Sequence, residues 1–323
     1  MEGKMFTKAN LVFLLAVPLL WTALWQIFPG KSLGHWLQYW WMFPIAFVIA
    51  LAVNTVGISG AALFVPFFVL IFPLLASPLG PAQSVKLGLI TEAFGLSSSA
   101  FAFISYGLVD KKLGLYTALG AASFVIAGSI LAGYIPEFLF HFLIAGALLL
   151  SVYLLTHSER AKSKAECIKN DEIGHHVEGH ENATLESMDG KTYKYCRTGY
   201  QKREIGYGIG GLFQGLAGFG IGELGIVSML MTKIPIRVAI GTSHVVVALT
   251  AIIASASHIS QSLLAGTGTP WNIVAMTVPA VIIGGQIAPF VSAKMETDTL
   301  EHFVAGLFVV LSIALLFLGI SHL

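Results

Sequence analysis

Of the chain's 323 residues, 56% are apolar and only 11% are charged, with a net charge of +1. A soluble domain is nearer a quarter charged, so the composition excludes an ordinary water-soluble globule and points to a chain that crosses a bilayer several times. The balanced charge says nothing about nucleic acid, no basic stripe suggests such a partner and none is expected, and two cysteines, Cys167 and Cys196, give no disulfide framework to read.

Residues 10–28 form an apolar run behind Lys4 and Lys8. No small-residue cleavage site follows, and Trp21, Trp25 and Phe28 lead into Pro29-Gly30, so the run reads as a first transmembrane helix rather than a cleaved signal. Residues 38–76 are almost wholly apolar but are interrupted by Asn54-Thr55-Val56-Gly57-Ile58-Ser59-Gly60-Ala61. Spans are predicted at 84–105, 113–133 and 138–156, and then 157–204 is polar and charged. Within 205–231 lies a second interruption, Gln214-Gly215-Leu216-Ala217-Gly218-Phe219-Gly220-Ile221-Gly222-Glu223, followed by spans at 235–260, 271–292 and 301–320.

Glycine inside a helix costs about 1 kcal/mol relative to alanine. Broken backbone at membrane depth is tolerated only where protein or a water-filled cavity surrounds it. The stretch 205–231 is also too short for two crossings, which need about 40 residues. Two half-length helices in a re-entrant hairpin fit better, and paired breaks in two halves point to a transporter's binding site.

Basic residues set the orientation. Lys111 and Lys112, the long loop from Arg160 to Arg203, Lys233 with Arg237, and Lys294 all fall on one side by crossing count. That side is read as cytoplasmic, with the N-terminus there and the C-terminus outside. The halves repeat weakly. Val85-Lys86-Leu87-Gly88 aligns with Val238-Ala239-Ile240-Gly241, Ala127-Gly128-Ser129-Ile130 with Gly284-Gly285-Gln286-Ile287, and Ala145-Gly146 with Ala305-Gly306. The expected fold is an all-α integral membrane protein. It has one leading transmembrane helix (1–37), a first repeat (38–156), a cytoplasmic loop (157–204) and a second, inverted repeat (205–323). Each repeat is a broken or re-entrant helical hairpin plus three transmembrane helices.

A break leaves the first N–H groups of the following half-helix unpaired, and such groups attract anions. Gly60, Ala61 and Ala62 are the expected donors at the first break, beside the Ser59 hydroxyl, and Gly220, Ile221 and Gly222 at the second. Tight helix packing is the alternative use of the same glycines, Gly57 and Gly218 included. Asn54 and Gln214 stand just before the breaks, to line the site or to bond freed carbonyls. Glu92 and Glu223 fall inside the membrane, where an ionised carboxylate costs about 2.5–3.5 kcal/mol on insertion scales, so each must be protonated, paired or hydrated. Glu223 either caps its half-helix or takes up a proton when an anion arrives. His244, with an unperturbed pKa near 6.5, is a second proton-coupling candidate or a satisfied core histidine. His141 and His258 are expected at interfaces, and Lys86 is expected to snorkel or to funnel anions. In the polar loop His175, His176, His180, Asp171, Glu172, Glu178 and Glu181 could hold a metal but fix no geometry. Lys191-Thr192-Tyr193-Lys194-Tyr195 after Asp189-Gly190 suggests a small hairpin.

The segment Val56-Gly57-Ile58-Ser59-Gly60-Ala61-Ala62-Leu63-Phe64-Val65-Pro66-Phe67 resembles the glycine-rich, proline-ending start of the sulfite exporter TauE/SafE family. Gly218-Phe219-Gly220-Ile221-Gly222-Glu223, Val238-Ala239-Ile240-Gly241-Thr242-Ser243 and Tyr106-Gly107-Leu108-Val109-Asp110 are similar to further segments of that family. The first half departs from it, with Leu89-Ile90-Thr91-Glu92 where the second half has Thr242-Ser243-His244, and Pro66 is matched by Ile226. The resemblance implies a secondary transporter in the cytoplasmic membrane, with Thr242 and Ser243 among its substrate contacts. Its implied cargo is a small sulfur-containing oxyanion: sulfite, thiosulfate, sulfoacetate or another sulfonate. The expected partners are that anion, protons and lipid. No cofactor and no resident metal are expected, export is the expected direction, and a homodimer is left open.

Two rivals remain at this level. A passive anion channel would serve the same substrates. An intramembrane serine protease would read Gly57-Ile58-Ser59-Gly60 as the GxSG motif of rhomboids, with His244 as base, but it leaves the second break without a purpose.

Overall fold

The computed structural model of the chain describes residues 13–158, 182–197, 199–294 and 297–321. Cys167 and the histidine- and acid-rich cluster of the polar loop lie outside the described residues. Both expected interruptions are present. Helix α1 (Ala16–Ile27) and the short α2 (Leu33–Leu37) lead into α3 (Met42–Val56). There Gly57 takes a φ of +88° and ends the helix, its N–H donating to the Val53 carbonyl at 2.9 Å. The left-handed region is open to glycine without steric penalty. The chain resumes as α4 (Ala61–Pro66), loosens into a π-turn at Phe67–Ile71 and closes with a 3-10 turn at Phe72–Leu74. Pro66 cannot donate its main-chain nitrogen, and the wider turn follows directly behind it.

The second interruption follows the same plan. Helix α8 (Tyr200–Ala217) stops at Gly218, whose φ is +94°, and α9 (Ile221–Met231) starts from Gly220. The incoming arm is longer than half-length: 18 residues rise about 27 Å, because the polar turn Tyr200–Glu204 extends the helix below its apolar part. Both interruptions are hairpins whose ends meet. Phe72 stacks on Tyr39 and Trp41 with ring centroids 5.6 Å apart, and Arg203 Nη1 donates to Thr232 Oγ1 at 3.0 Å.

Helices α5 (Pro81–Ser105), α6 (Lys111–Ala132), α10 (Ile236–Leu264) and α11 (Trp271–Lys294) are long and apolar enough to cross a membrane. Helices α7 (Glu137–Ser158) and α12 (Thr297–Ser321) pack on each other. The interior belongs to α5, α10 and α11, whose apolar windows are 78–83% buried against 33% for α6. The exposed faces of α6 and α12 are apolar too, with Leu115, Leu119, Phe124, Val310, Ile313 and Phe317 in the open, as lipid contact requires.

The packing crosses between the halves. Helix α3 lies on α11, and α8 lies on α6; α5 lies on both α10 and α11, and α10 also lies on α6. Glycine permits the closest approaches, with Gly128 of α6 against the Leu212 carbonyl of α8 and Gly215 of α8 against the Val125 carbonyl. Buried polar pairs fix the register of α5 against α11: Ser98 Oγ donates to the Ile282 carbonyl at 2.6 Å and Gln286 Nε2 to the Ser98 carbonyl at 2.8 Å.

A two-stranded antiparallel hairpin, β1 (Asn182–Glu186) and β2 (Thr192–Cys196), adds a small sheet to this helical chain, paired from Asn182 opposite Cys196 to Glu186 opposite Thr192. It sits on the turn between α5 and α6, where Met188 N–H donates to the Tyr106 carbonyl at 3.0 Å. The turns at 106–110, 187–191 and 232–237 therefore gather at one end of the molecule.

Candidate functional site

Helix ends that point into protein leave main-chain N–H groups to be satisfied. Here Glu223, on the first turn of α9, satisfies one from each break. Its Oε2 accepts the Gly220 N–H at 3.1 Å and its Oε1 accepts the Ser59 N–H at 3.3 Å. A single carboxyl thus bridges the two interruptions, reaching a residue 164 positions away in sequence.

Glu92 reaches the same place from α5. The Ser59 hydroxyl donates to Glu92 Oε1, Gln214 Nε2 donates to Oε2 at 3.5 Å, and the Ala61 N–H faces the same carboxyl. A Cβ at Gly60 would rest 3.6 Å from that of Glu92. Both glutamates are buried, at 2% exposure. Ser59 is the hinge of the cluster, giving its N–H to one carboxyl and its hydroxyl to the other.

The cluster is tightly closed. A Cβ on Gly222 would lie 2.9 Å from the Ser59 nitrogen, and one on Gly57 would lie 2.9 Å from Ile240 and 3.0 Å from Ile226. Gly218 rests on Val65 and Ala61 of the first hairpin. Main-chain donors, a hydroxyl and an amide therefore converge, and carboxylate oxygens occupy them.

Residues 42–315 match the family described as sulfite exporter TauE/SafE. The chain belongs to this family. It is also similar, at 26% identity over 288 residues, to "Probable membrane transporter protein YunE" of Bacillus subtilis (strain 168), covering 86% of this chain and 98% of that protein. No solved structure matches it.

In this TauE/SafE protein the other expected residues are spread around the breaks. Asn54 is buried with its Oδ1 unpartnered, and its carbonyl faces His244. His244 Nδ1 bonds the Ile240 carbonyl at 2.7 Å, and its ring lies 4.6 Å from that of Phe103. Ser59 and His244 thus bond different partners, and no Ser-His dyad forms between them. Thr242 Oγ1 accepts the Asp110 N–H at 3.0 Å, and Ser243 faces Tyr207 without an aligned hydrogen bond. Neither hydroxyl is brought to the carboxyl cluster. His141 and His258 are buried, and His258 Nε2 donates to the Gly215 carbonyl at 2.8 Å. Among the described residues no three His, Cys, Asp or Glu side chains cluster as metal ligands.

Sequence reasoning missed the device at the hairpin end. Asp110 caps α6 by accepting the Leu113 N–H at 3.1 Å. Arg197 forks onto it, with Nε 2.7 Å from Oδ2 and Nη2 3.1 Å from Oδ1, and Tyr195 Oη donates at 2.7 Å. Burial works to push the Asp110 carboxyl up, but the Arg197 and Tyr195 hydrogen bonds outweigh it and hold the group below the usual aspartate range. Burial and the neighbouring Asp110 push the Tyr195 phenol up. An acidic residue three positions before the span predicted at 113–133 is the cap signal that could have found this anchor.

Beside the anchor lies a small opening lined by Phe103, Tyr106, Leu108, Asp189, Arg237, Ile240, Pro289 and Ser292. Ile240 and Phe103 form its inner wall. The same Ile240 packs on Gly57, and the same Phe103 packs on His244.

Proposed function

We propose that the chain is a proton-coupled secondary transporter that exports a small sulfur-containing oxyanion across the cytoplasmic membrane, with sulfite, thiosulfate, sulfoacetate and other sulfonates as the candidate class. The observation that carries this reading is the Glu223 carboxyl, which accepts an N–H from each of the two breaks. An arriving oxyanion competes for those donors. A proton on Glu223 turns one of its acceptor oxygens into a donor, weakens the carboxyl's hold on the N–H groups and lets the anion compete for them. Release of anion and proton restores the bridge. Glu92 acts through Ser59 in the same exchange, and Gln214 orients it. Asn54 and His244 line the route from the inner opening.

Reciprocal packing supports two inverted repeats around this site. Exchanging α3 with α8, α4 with α9, α5 with α10, α6 with α11 and α7 with α12 leaves the principal helix pairs unchanged. The gathering of Lys111, Lys191, Arg197, Lys233 and Arg237 at the hairpin end supports a cytoplasmic N-terminus and an outer C-terminus.

The test is thiosulfate flux in proteoliposomes under an imposed pH gradient. Uphill movement driven by the gradient is expected of the wild type, and Glu223→Gln should carry thiosulfate only downhill, at a rate indifferent to pH. Wild-type flux that only ever follows its own gradient would establish a passive channel instead.

A further inference from the structure

Lys86 does not snorkel. It stands on the second turn of α5, at the end of the molecule away from the hairpin, and is 1% exposed. Its ammonium donates to Ser262 Oγ at 2.7 Å and to the Gly268 carbonyl at 3.1 Å. Both partners are neutral, and no carboxylate of the described residues lies within 4.0 Å. An ammonium has three donors, so one N–H and the whole positive charge go unmatched. At the hairpin end two arginines do have carboxylates: Arg197 has Asp110 at 2.7 Å and Arg237 has Asp189 at 3.3 Å. A buried charge without a counter-ion is costly, and a protein that keeps one there offers a place for an opposite charge.

The position also fits. Val85, the residue before it, lies beside Gly218 of the second break, 3.6 Å from where a Cβ there would sit. His258, which feels the Lys86 charge, holds the carbonyl of Gly215 at 2.8 Å. The turn above, Leu263–Gly268, is exposed, and Ser262 is half-buried. One layer of chain therefore separates Lys86 from the solvent, and one residue separates it from the break.

We propose that Lys86 is the oxyanion-receiving group of the outer mouth. Its ammonium and the Ser262 hydroxyl take a small sulfur oxyanion passing between Gly218–Glu223 and the outside, and the turn at 265–270 moves aside for it. This rests on the substrate class proposed above.

The test is thiosulfate binding to purified protein by calorimetry, with melting temperature measured in parallel. Lys86→Gln should weaken binding about tenfold, the loss of one charge-assisted contact, and Lys86→Arg should hold it within about threefold. Ser262→Asp gives Lys86 an internal counter-ion, so it should weaken thiosulfate by a similar factor while keeping or raising the melting temperature. Unchanged affinity in Lys86→Gln or in Ser262→Asp would make Lys86 a mere pin for the 265–270 turn and overturn the proposal, while leaving the transport reading intact. A wild type that binds no thiosulfate, sulfite or sulfoacetate overturns both.

Discussion

Replacing Gly222 by alanine tests the contact between the two hairpins with a single methyl group. The added Cβ would lie 2.9 Å from the Ser59 nitrogen, 3.3 Å from the Ile58 carbonyl carbon and 3.5 Å from the Gly57 carbonyl oxygen. All three are backbone atoms, which cannot swing aside as a side chain would. Ordinary contact begins near 3.4 Å, so the hairpins must part by about 0.5 Å. The Ser59 N–H to Glu223 bond already spans 3.3 Å, and that displacement carries it past hydrogen-bonding distance. Losing a hydrogen bond to a charged group costs roughly 1.5–3 kcal/mol, and overpacking costs about 1–3 kcal/mol. The lost hydrogen bond alone corresponds to about tenfold or more in the equilibrium that positions the donors. Thiosulfate flux through Gly222→Ala in proteoliposomes should therefore fall at least about tenfold, with the protein still inserted and monodisperse. Gly146→Ala is the control, since a Cβ there meets nothing within 4 Å. If Gly222→Ala matched the control in flux and melting temperature, the breaks would not be pressed together as described.

Gly220→Val should abolish transport without preventing insertion, because Gly220 has a φ of +114° that a β-branched residue cannot hold; membrane-fraction blotting beside the flux assay checks both halves of this. Tyr195→Phe removes a 2.7 Å hydrogen bond to Asp110 and should raise protease cutting within 182–197 while transport persists. The Asp110 carboxyl is held below its usual value in the folded chain, so its ion pair with Arg197 stabilises the hairpin fully above about pH 4, the ordinary aspartate value, and this stabilisation is lost as pH falls through the depressed one. Hydrogen exchange over 182–197 should be flat from pH 7 to about pH 5 after correction for intrinsic rates, whereas Asp110→Asn should exchange fast throughout.

The breaks were legible because their signals are local. Glycines clustered within an apolar run, and an acidic residue three positions after Gly220, announce an interrupted helix and its cap whatever surrounds them. The 182–196 hairpin was legible in the same way, from Asp189-Gly190 and the alternation behind it. The joining of Glu92 and Glu223 through Ser59 was not, since it depends on which face of α5 meets which hairpin. Helical periodicity carries that information only when one face is polar, and every residue from Ser84 to Ala93 is buried. For the same reason Lys86 read as a snorkelling residue. Thr242 was legible as a polar residue deep in a span, but the Asp110 N–H that occupies it comes from a turn 132 residues away.

The most direct measurement is a structure of the protein solved with thiosulfate bound, in lipid nanodiscs at mildly acidic pH. The account predicts the anion within hydrogen-bonding distance of the Ser59 and Gly220 main-chain nitrogens, with the Glu223 carboxyl turned off both. Thiosulfate seated elsewhere while Glu223 still bridges the two nitrogens would contradict it.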